Sequence, residues 1–354
     1  MSQTESETRR LTVASPPHIA TTDTVHGTMR DVLIALVPAL AVSVYFFGIQ
    51  ALLLAVTCVA ACVLSEWGYC ALLKKQPTVG DLSAAVTGLL LAMCLPVTMS
   101  LYWAALAGVF ATVVAKGLFG GLGKNLFNPA LSGRALLVVF PALLSAFQVP
   151  GVSHWVTPGF AVDAVTAATP LLALKDGTIP IEWSLRDLLL GQRGGSMGEV
   201  AAFALLLGGV YLCMRGVISL RIPLSFVGTV ALCTLLSAPA GNDPLDWMLY
   251  ELLTGGLLLG AIFMATDPVT TPVTRWGQVL FGVGCGGITV LMRYFSPYPE
   301  GVATAILVMN AAVWLLDTLC APRRFGRNGH LIQRLCSTKL GQALGRLKRK
   351  GAVQ

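Results

Sequence analysis

The stretch Thr254-Gly255-Gly256-Leu257-Leu258-Leu259-Gly260-Ala261-Ile262-Phe263-Met264-Ala265-Thr266-Asp267-Pro268 opens on a hydroxyl and two glycines, runs apolar, and closes on an acid and a proline. An earlier stretch, Thr87-Gly88-Leu89-Leu90-Leu91-Ala92-Met93-Cys94-Leu95-Pro96, echoes it. Working outward, ten apolar segments lie at approximately 31–48, 50–72, 82–98, 101–119, 128–147, 199–217, 223–240, 248–265, 277–295 and 300–319. Several are long enough to cross a bilayer core alone, while the third and the eighth are short and interrupted by glycine. These two occupy matching places in a five-plus-five division, and a repeat with an odd number of helices must insert its second copy upside down. Such repeats meet at mid-membrane on broken helices whose ends point at polar cargo. Two unrelated leucine-rich helices would share the composition without the symmetry. The fold expected is an all-α polytopic membrane protein of about ten transmembrane helices, in two inverted five-helix repeats with one longer loop between them.

Composition agrees with a membrane chain. Of 354 residues, 55% are hydrophobic and 12% charged, too apolar for a soluble domain. About thirty polar residues precede the first apolar run, whereas a cleavable signal peptide starts almost at once, so the first helix is expected to act as an uncleaved insertion signal. The net charge of +7 points to cytoplasmic loops and anionic lipid, and nucleic acid is not expected as a partner. The nine cysteines form no Cys-x-x-Cys pair; Cys58 and Cys62, four apart on a helix face, read as packing residues. The four histidines are scattered, so no metal site is expected.

Orientation follows from the basic residues. With the N-terminus inside, 20 of the 24 Lys and Arg fall on the cytoplasmic side, and only Lys175, Arg186, Arg193 and Arg293 fall outside. This places both termini in the cytoplasm and the long loop in the periplasm. The organisation expected is a cytoplasmic N-terminal segment 1–30, a first repeat 31–147, a periplasmic loop 148–198, a second repeat 199–320 and a basic tail 321–354. The tail reads equally well as a surface helix on the membrane or as a solvated extension.

Three places carry chemistry. In the long loop, Asp163-Ala164-Val165-Thr166-Ala167-Ala168-Thr169-Pro170-Leu171 sets an acid six positions before a threonine among small residues, thin enough for an enzyme to reach that hydroxyl. By composition alone an ordinary exposed loop reads equally well. In Lys116-Gly117-Leu118-Phe119-Gly120-Gly121-Leu122-Gly123-Lys124-Asn125-Leu126-Phe127-Asn128-Pro129-Ala130, glycines such as Gly120 and Gly121 free backbone N–H groups to approach an anion or ring, and Asn125 and Asn128 can bond edge groups. The block lacks the Walker lysine arrangement, so nucleotide hydrolysis is disfavoured. The turn at Thr266 and Asp267 gathers an acid and hydroxyls, and both it and the glycine block could equally be tight helix connections. Together they are expected to line a polar site between the halves, with Gly121→Val blocking close backbone approach. Five acids, Glu66, Asp81, Glu251, Asp267 and Asp317, could sense an ion; most sit near expected helix ends, where solvation favours a structural role.

The spacing Asp163, Thr166, Ala168, Thr169 resembles the flavin-transferase acceptor sequence, in which the last threonine hydroxyl becomes a phosphoester of FMN. Ala164 and Ala167 stand where that motif usually has glycine. In order along the chain, Met29-Arg30-Asp31-Val32, the Lys116–Arg134 block, the acceptor stretch and Phe263-Met264-Ala265-Thr266-Asp267-Pro268-Val269 are similar to the D subunits of the Rnf electron transport complexes and to the B subunits of the sodium-pumping NADH:quinone oxidoreductases. The resemblance covers about residues 25–325 and implies an electron carrier in a complex that couples ferredoxin and NAD to Na⁺ or H⁺ movement. It further implies covalent FMN on Thr169, a flavin transferase for maturation, and the A, B, C, E and G subunits as partners in a bacterial inner membrane. No catalytic residue of its own is implied, because the redox chemistry is the cofactor's. A second, non-covalent flavin near the glycine block is left open. A secondary transporter or channel would share the repeats but has no use for an acceptor stretch. A quinone-reducing subunit of the sodium-pumping relative differs mainly by a longer N-terminal region.

Overall fold

The structure, a computed structural model, describes residues 24–75, 78–97, 99–139, 170–175, 177, 179, 184–191, 196–199, 202–239, 241–296 and 300–321. Among these residues the chain is helical and forms no strand, only a single bridge between Pro96 and Ser196. The helices are α1 (Val25–Phe47), α2 (Ile49–Leu72), α3 (Ser83–Met93), α4 (Leu101–Gly117), α5 (Pro129–Val139), α6 (Pro170–Lys175), α7 (Leu185–Leu190), α8 (Ala202–Met214), α9 (Arg221–Leu236), α10 (Pro244–Leu253), α11 (Leu257–Met264), α12 (Arg275–Phe295) and α13 (Val302–Leu319).

Helices α1, α2, α12 and α13 are long and apolar enough to cross a bilayer, and α10 with α11 forms a fifth candidate, bent by 64° at the intervening glycines. The chain is thus a helical membrane protein. The other expected spans fall on shorter apolar helices, α3, α4, α5, α8 and α9. The outer faces are apolar: Leu64, Trp67, Tyr102, Val210, Leu224 and Leu232 are all exposed. In water such a surface would aggregate, whereas against lipid tails it costs nothing.

Most of the interior is a hydrophobic cluster fed by both halves of the chain, with a smaller one beside it. In the first half, α2 packs on α3 and α4; in the second, α9 packs on α12, and α12 on α13. The seam between halves is made by α1 on α8 and α5 on α13. Helices in lipid gain little from apolar burial, so small residues that let backbones approach carry the association. On α12, Gly282 and Gly286 are four apart and face α9; a Cβ at Gly286 would lie 2.9 Å from the Phe226 carbonyl oxygen.

The expected interruption at Gly88 does not occur. Helix α3 runs through it, and the glycine lets α3 lie on α2, where a Cβ would come within 2.6 Å of the Val59 Cα. Cys58 and Cys62 are fully buried in α2, and the Cys62 thiol donates to the Gly108 carbonyl, as packing residues would.

Two helices end in wide turns. In α4 the amides of Leu118 and Gly121 reach back five residues to the carbonyls of Val113 and Lys116. In α11 the Ala265 amide does the same to Gly260, at 2.7 Å. Wide turns of this kind gather at functional sites, and both run into the same cavity.

Candidate functional site

That cavity lies on the seam, bounded by the start of α1, α3, the ends of α4, α8 and α11, and the connection into α5. It holds about 750 Å³ of empty space, its open mouth included. Asn125, Asn128, Thr266 and Asp267 line it together with Lys116 and Ser83. Four of the residues singled out in sequence are thereby brought together from places up to 142 positions apart along the chain, Asn125 to Asp267. Gly120 and Gly121 are not among the lining residues. Both have positive φ, +112° and +89°, and a Cβ on Gly121 would meet nothing within 4 Å. Gly121→Val would therefore also strain the backbone of the turn.

Asn128 is the staple of the seam. Its Oδ1 accepts from the amides of Ala130 and Leu131 at 3.0 and 3.4 Å, capping α5, whose first residue is Pro129. Its Nδ2 donates to the carbonyl of Met264 at the end of α11, 3.2 Å away. The Asn310 amide, oriented so that both its ends are satisfied, accepts from the Asn128 amide and donates to Thr270. Asn125 differs: it is 8% exposed, and its Oδ1 has no hydrogen-bond partner. A buried acceptor without a donor is costly.

Asp267 sits half-buried in the connection between α11 and α12. Its carboxylate accepts from the Val269 amide and the Thr270 hydroxyl, an Asx turn that reverses the chain at Pro268. Burial pushes its carboxyl above the usual carboxylate range, and those two hydrogen bonds oppose the shift. Thr266 turns its hydroxyl back to the Ile262 carbonyl.

Sequence reasoning named none of the partners in the ion pairs. Lys116 Nζ, 3% exposed, donates at 2.7 Å to Glu66 Oε1 and at 2.7 Å to Ser83 Oγ. Arg293, 2% exposed, meets Glu251 at 2.5 Å. Arg134 pairs with Glu300 across the seam, and Asp31, in the motif that opens α1, takes Arg215 at 3.1 Å and the Tyr211 hydroxyl at 3.3 Å. Glu66 and Glu251 are thus not solvated at helix ends, as expected; they are 5% and 2% exposed and held by cations from other helices. Asp317 does serve structure, accepting from the amides of Val273 and Thr274. The only hint in the sequence was the cost of leaving a carboxylate alone in hydrocarbon. The acceptor residues Asp163, Thr166, Ala168 and Thr169 lie outside the described residues.

Residues 12–326 match the model of the NQR2, RnfD, RnfE family. The chain is 43% identical over 320 residues to the D subunit of the Na⁺-translocating ferredoxin:NAD⁺ oxidoreductase complex of Acetobacterium woodii, covering 89% of this chain and 95% of that one. To the D subunit of the proton-translocating ferredoxin:NAD⁺ oxidoreductase complex of Clostridium ljungdahlii it is 39% identical over 339 residues, 92% and 99% of the two chains. The D subunit of the ion-translocating oxidoreductase complex of Stutzerimonas stutzeri is 37% identical over 326 residues, 85% and 92%.

Proposed function

Because the chain belongs to the NQR2, RnfD, RnfE family, we propose that it is the D subunit of an Rnf-type complex, an ion-translocating ferredoxin:NAD oxidoreductase, and that it carries electrons through FMN joined to Thr169 by a phosphoester. The observation that carries the reading is end-to-end similarity to relatives so named, together with an acceptor stretch for which a transporter has no use. On this reading the partners are the A, B, C, E and G subunits, a flavin transferase and the lipid bilayer, and the coupled ion is Na⁺ or H⁺. The related names pair one family with both ions.

In its finer form the reading has ten crossings in two inverted repeats, 31–147 and 199–320. The loop 148–198 is periplasmic, and segments 1–30 and 321–354 are cytoplasmic, in a bacterial inner membrane. A reporter fused after residue 354 that is active only in the periplasm would overturn this orientation.

Bound flavin supplies the electron-carrying ring; the chain positions it and keeps competing groups away. The seam cavity is the place for a second, non-covalent flavin. Asn125, which lines it, has a side-chain oxygen without a hydrogen-bond partner, an acceptor for a ring N–H or a side-chain hydroxyl. Asn128, Thr266 and Asp267 are already bonded within the protein and act as its walls. The intact mass of the purified, denatured chain is the direct test: it should exceed the sequence mass by one FMN less water. A chain matured beside its transferase and found at the bare mass would reject the assignment.

A further inference from the structure

The bend between α10 and α11 exposes backbone polar groups in the middle of a candidate span, and in lipid each must find a partner. Arg293, in the last turn of α12, supplies it. Nη1 donates at 2.6 Å to the Glu251 carbonyl and at 2.5 Å to its carboxylate, while Nη2 donates at 2.9 Å to the Thr254 carbonyl. A cation on the C-terminal carbonyls of α10 also suits that helix's dipole. The chain then turns through Gly255 and Gly256, at φ +70° and +63°, before α11 begins.

A third element meets this point. A Cβ on Gly255 would lie 2.9 Å from Arg293 Nη2 and 3.0 Å from the Leu171 side chain. Leu171 is 4% exposed, and Leu174, one helical turn on, is 1% exposed in a satellite cluster with Leu188, Trp247 and Tyr250. Helix α6 is therefore held twice: by Leu171 on the bend and by Leu174 against α10. The Trp247 indole N–H donates to the hydroxyl of Tyr294, the neighbour of Arg293, so the same end of α12 supports both contacts.

We infer that the helix bend fixed by Arg293 and Glu251 is the seat that registers α6, the helix that follows the acceptor stretch in sequence. Arg293 is a positioning residue: it touches the bend, and the bend touches Leu171. The role assigned toward flavin rests on the proposed attachment at Thr169; the docking of α6 does not.

The test reads amide hydrogen exchange over residues 170–175 in the full-length chain, with and without Thr169→Val. Glu251→Gln/Arg293→Met removes the pair without stranding a buried charge. Gly255→Ala sets a methyl against both the Arg293 guanidinium and Leu171 and strains the turn at positive φ. Both should speed exchange in 170–175 by about tenfold or more through local opening, while α1 and α2 keep wild-type rates; Arg293→Lys should fall between. Unchanged exchange over 170–175 in both the double variant and Gly255→Ala overturns the seat. Where wild-type chain carries the flavin, the double variant should also lower the fluorescence anisotropy of the attached group. Unchanged anisotropy with faster exchange would overturn the link to flavin alone. Because exchange is also read on the Thr169→Val background, a chain that proves to carry no FMN still decides whether α6 docks on the bend.

Discussion

Thr169→Val, produced beside a flavin transferase, is expected to run dark on a denaturing gel where the wild-type chain fluoresces. The phosphoester is made to oxygen, and valine keeps the β-branched shape while removing that oxygen, so folding and assembly should survive. Electron transfer through the complex should fall to background, because no other residue can hold the ring in the same place. Thr169→Ser keeps an oxygen and should retain part of the signal. Thr166→Val, the nearest alternative hydroxyl, should stay largely fluorescent. A fluorescent Thr169→Val chain, or a peptide map that puts FMN on another residue, refutes the assignment.

The second large effect is expected at Lys116. Lys116→Met removes the cation from Glu66, which is 5% exposed and would keep only the Thr78 hydroxyl, at 2.5 Å. Its Oε2 already lacks a partner. Breaking a buried pair from one side typically costs about 3–5 kcal/mol, because the remaining charge is stranded. The single variant should therefore accumulate poorly or melt well below wild type. Glu66→Gln/Lys116→Met, with no charge left to strand, should recover most of that loss. A thermal melt in detergent decides it: a single variant as stable as wild type, or a double variant no better than the single, sinks the account.

Much of the helix layout was legible because apolar length needs no knowledge of neighbours. Each expected segment contains a helix, or in one case the bent pair α10 and α11, and the bend was announced by Gly255 and Gly256 beside Thr254. What periodicity could not announce was partnership. Glu66 and Lys116 are 50 positions apart, and Glu251 and Arg293 are 42 apart. Nothing in either neighbourhood names the other. The charge census shows the same blindness, since it counted Lys116, Arg134 and Arg293 as loop charges although all three are buried ion-pair partners. Setting them aside leaves 18 basic residues against 3, so the asymmetry persists on the remaining ones. At Gly88 the error was of another kind: glycine in a helix was read as a break, when its missing Cβ serves a close helix crossing. Asn125 and Asn128 were grouped as equals, yet only the fold separates the residue that staples the seam from the one whose buried oxygen is left unbonded.

The wide turns closing α4 and α11 make residue count itself a structural quantity. A helix advances roughly 100° with each residue, so deleting a single residue within 110–115 would swing Lys116 around its axis, away from Glu66. Substitution there changes a side chain; a length change rewrites which way the whole following loop faces. Chimaeras between relatives should accordingly be spliced outside 110–117 and 260–264, and an alignment gap falling inside either window signals a shifted alignment before it signals a divergent protein.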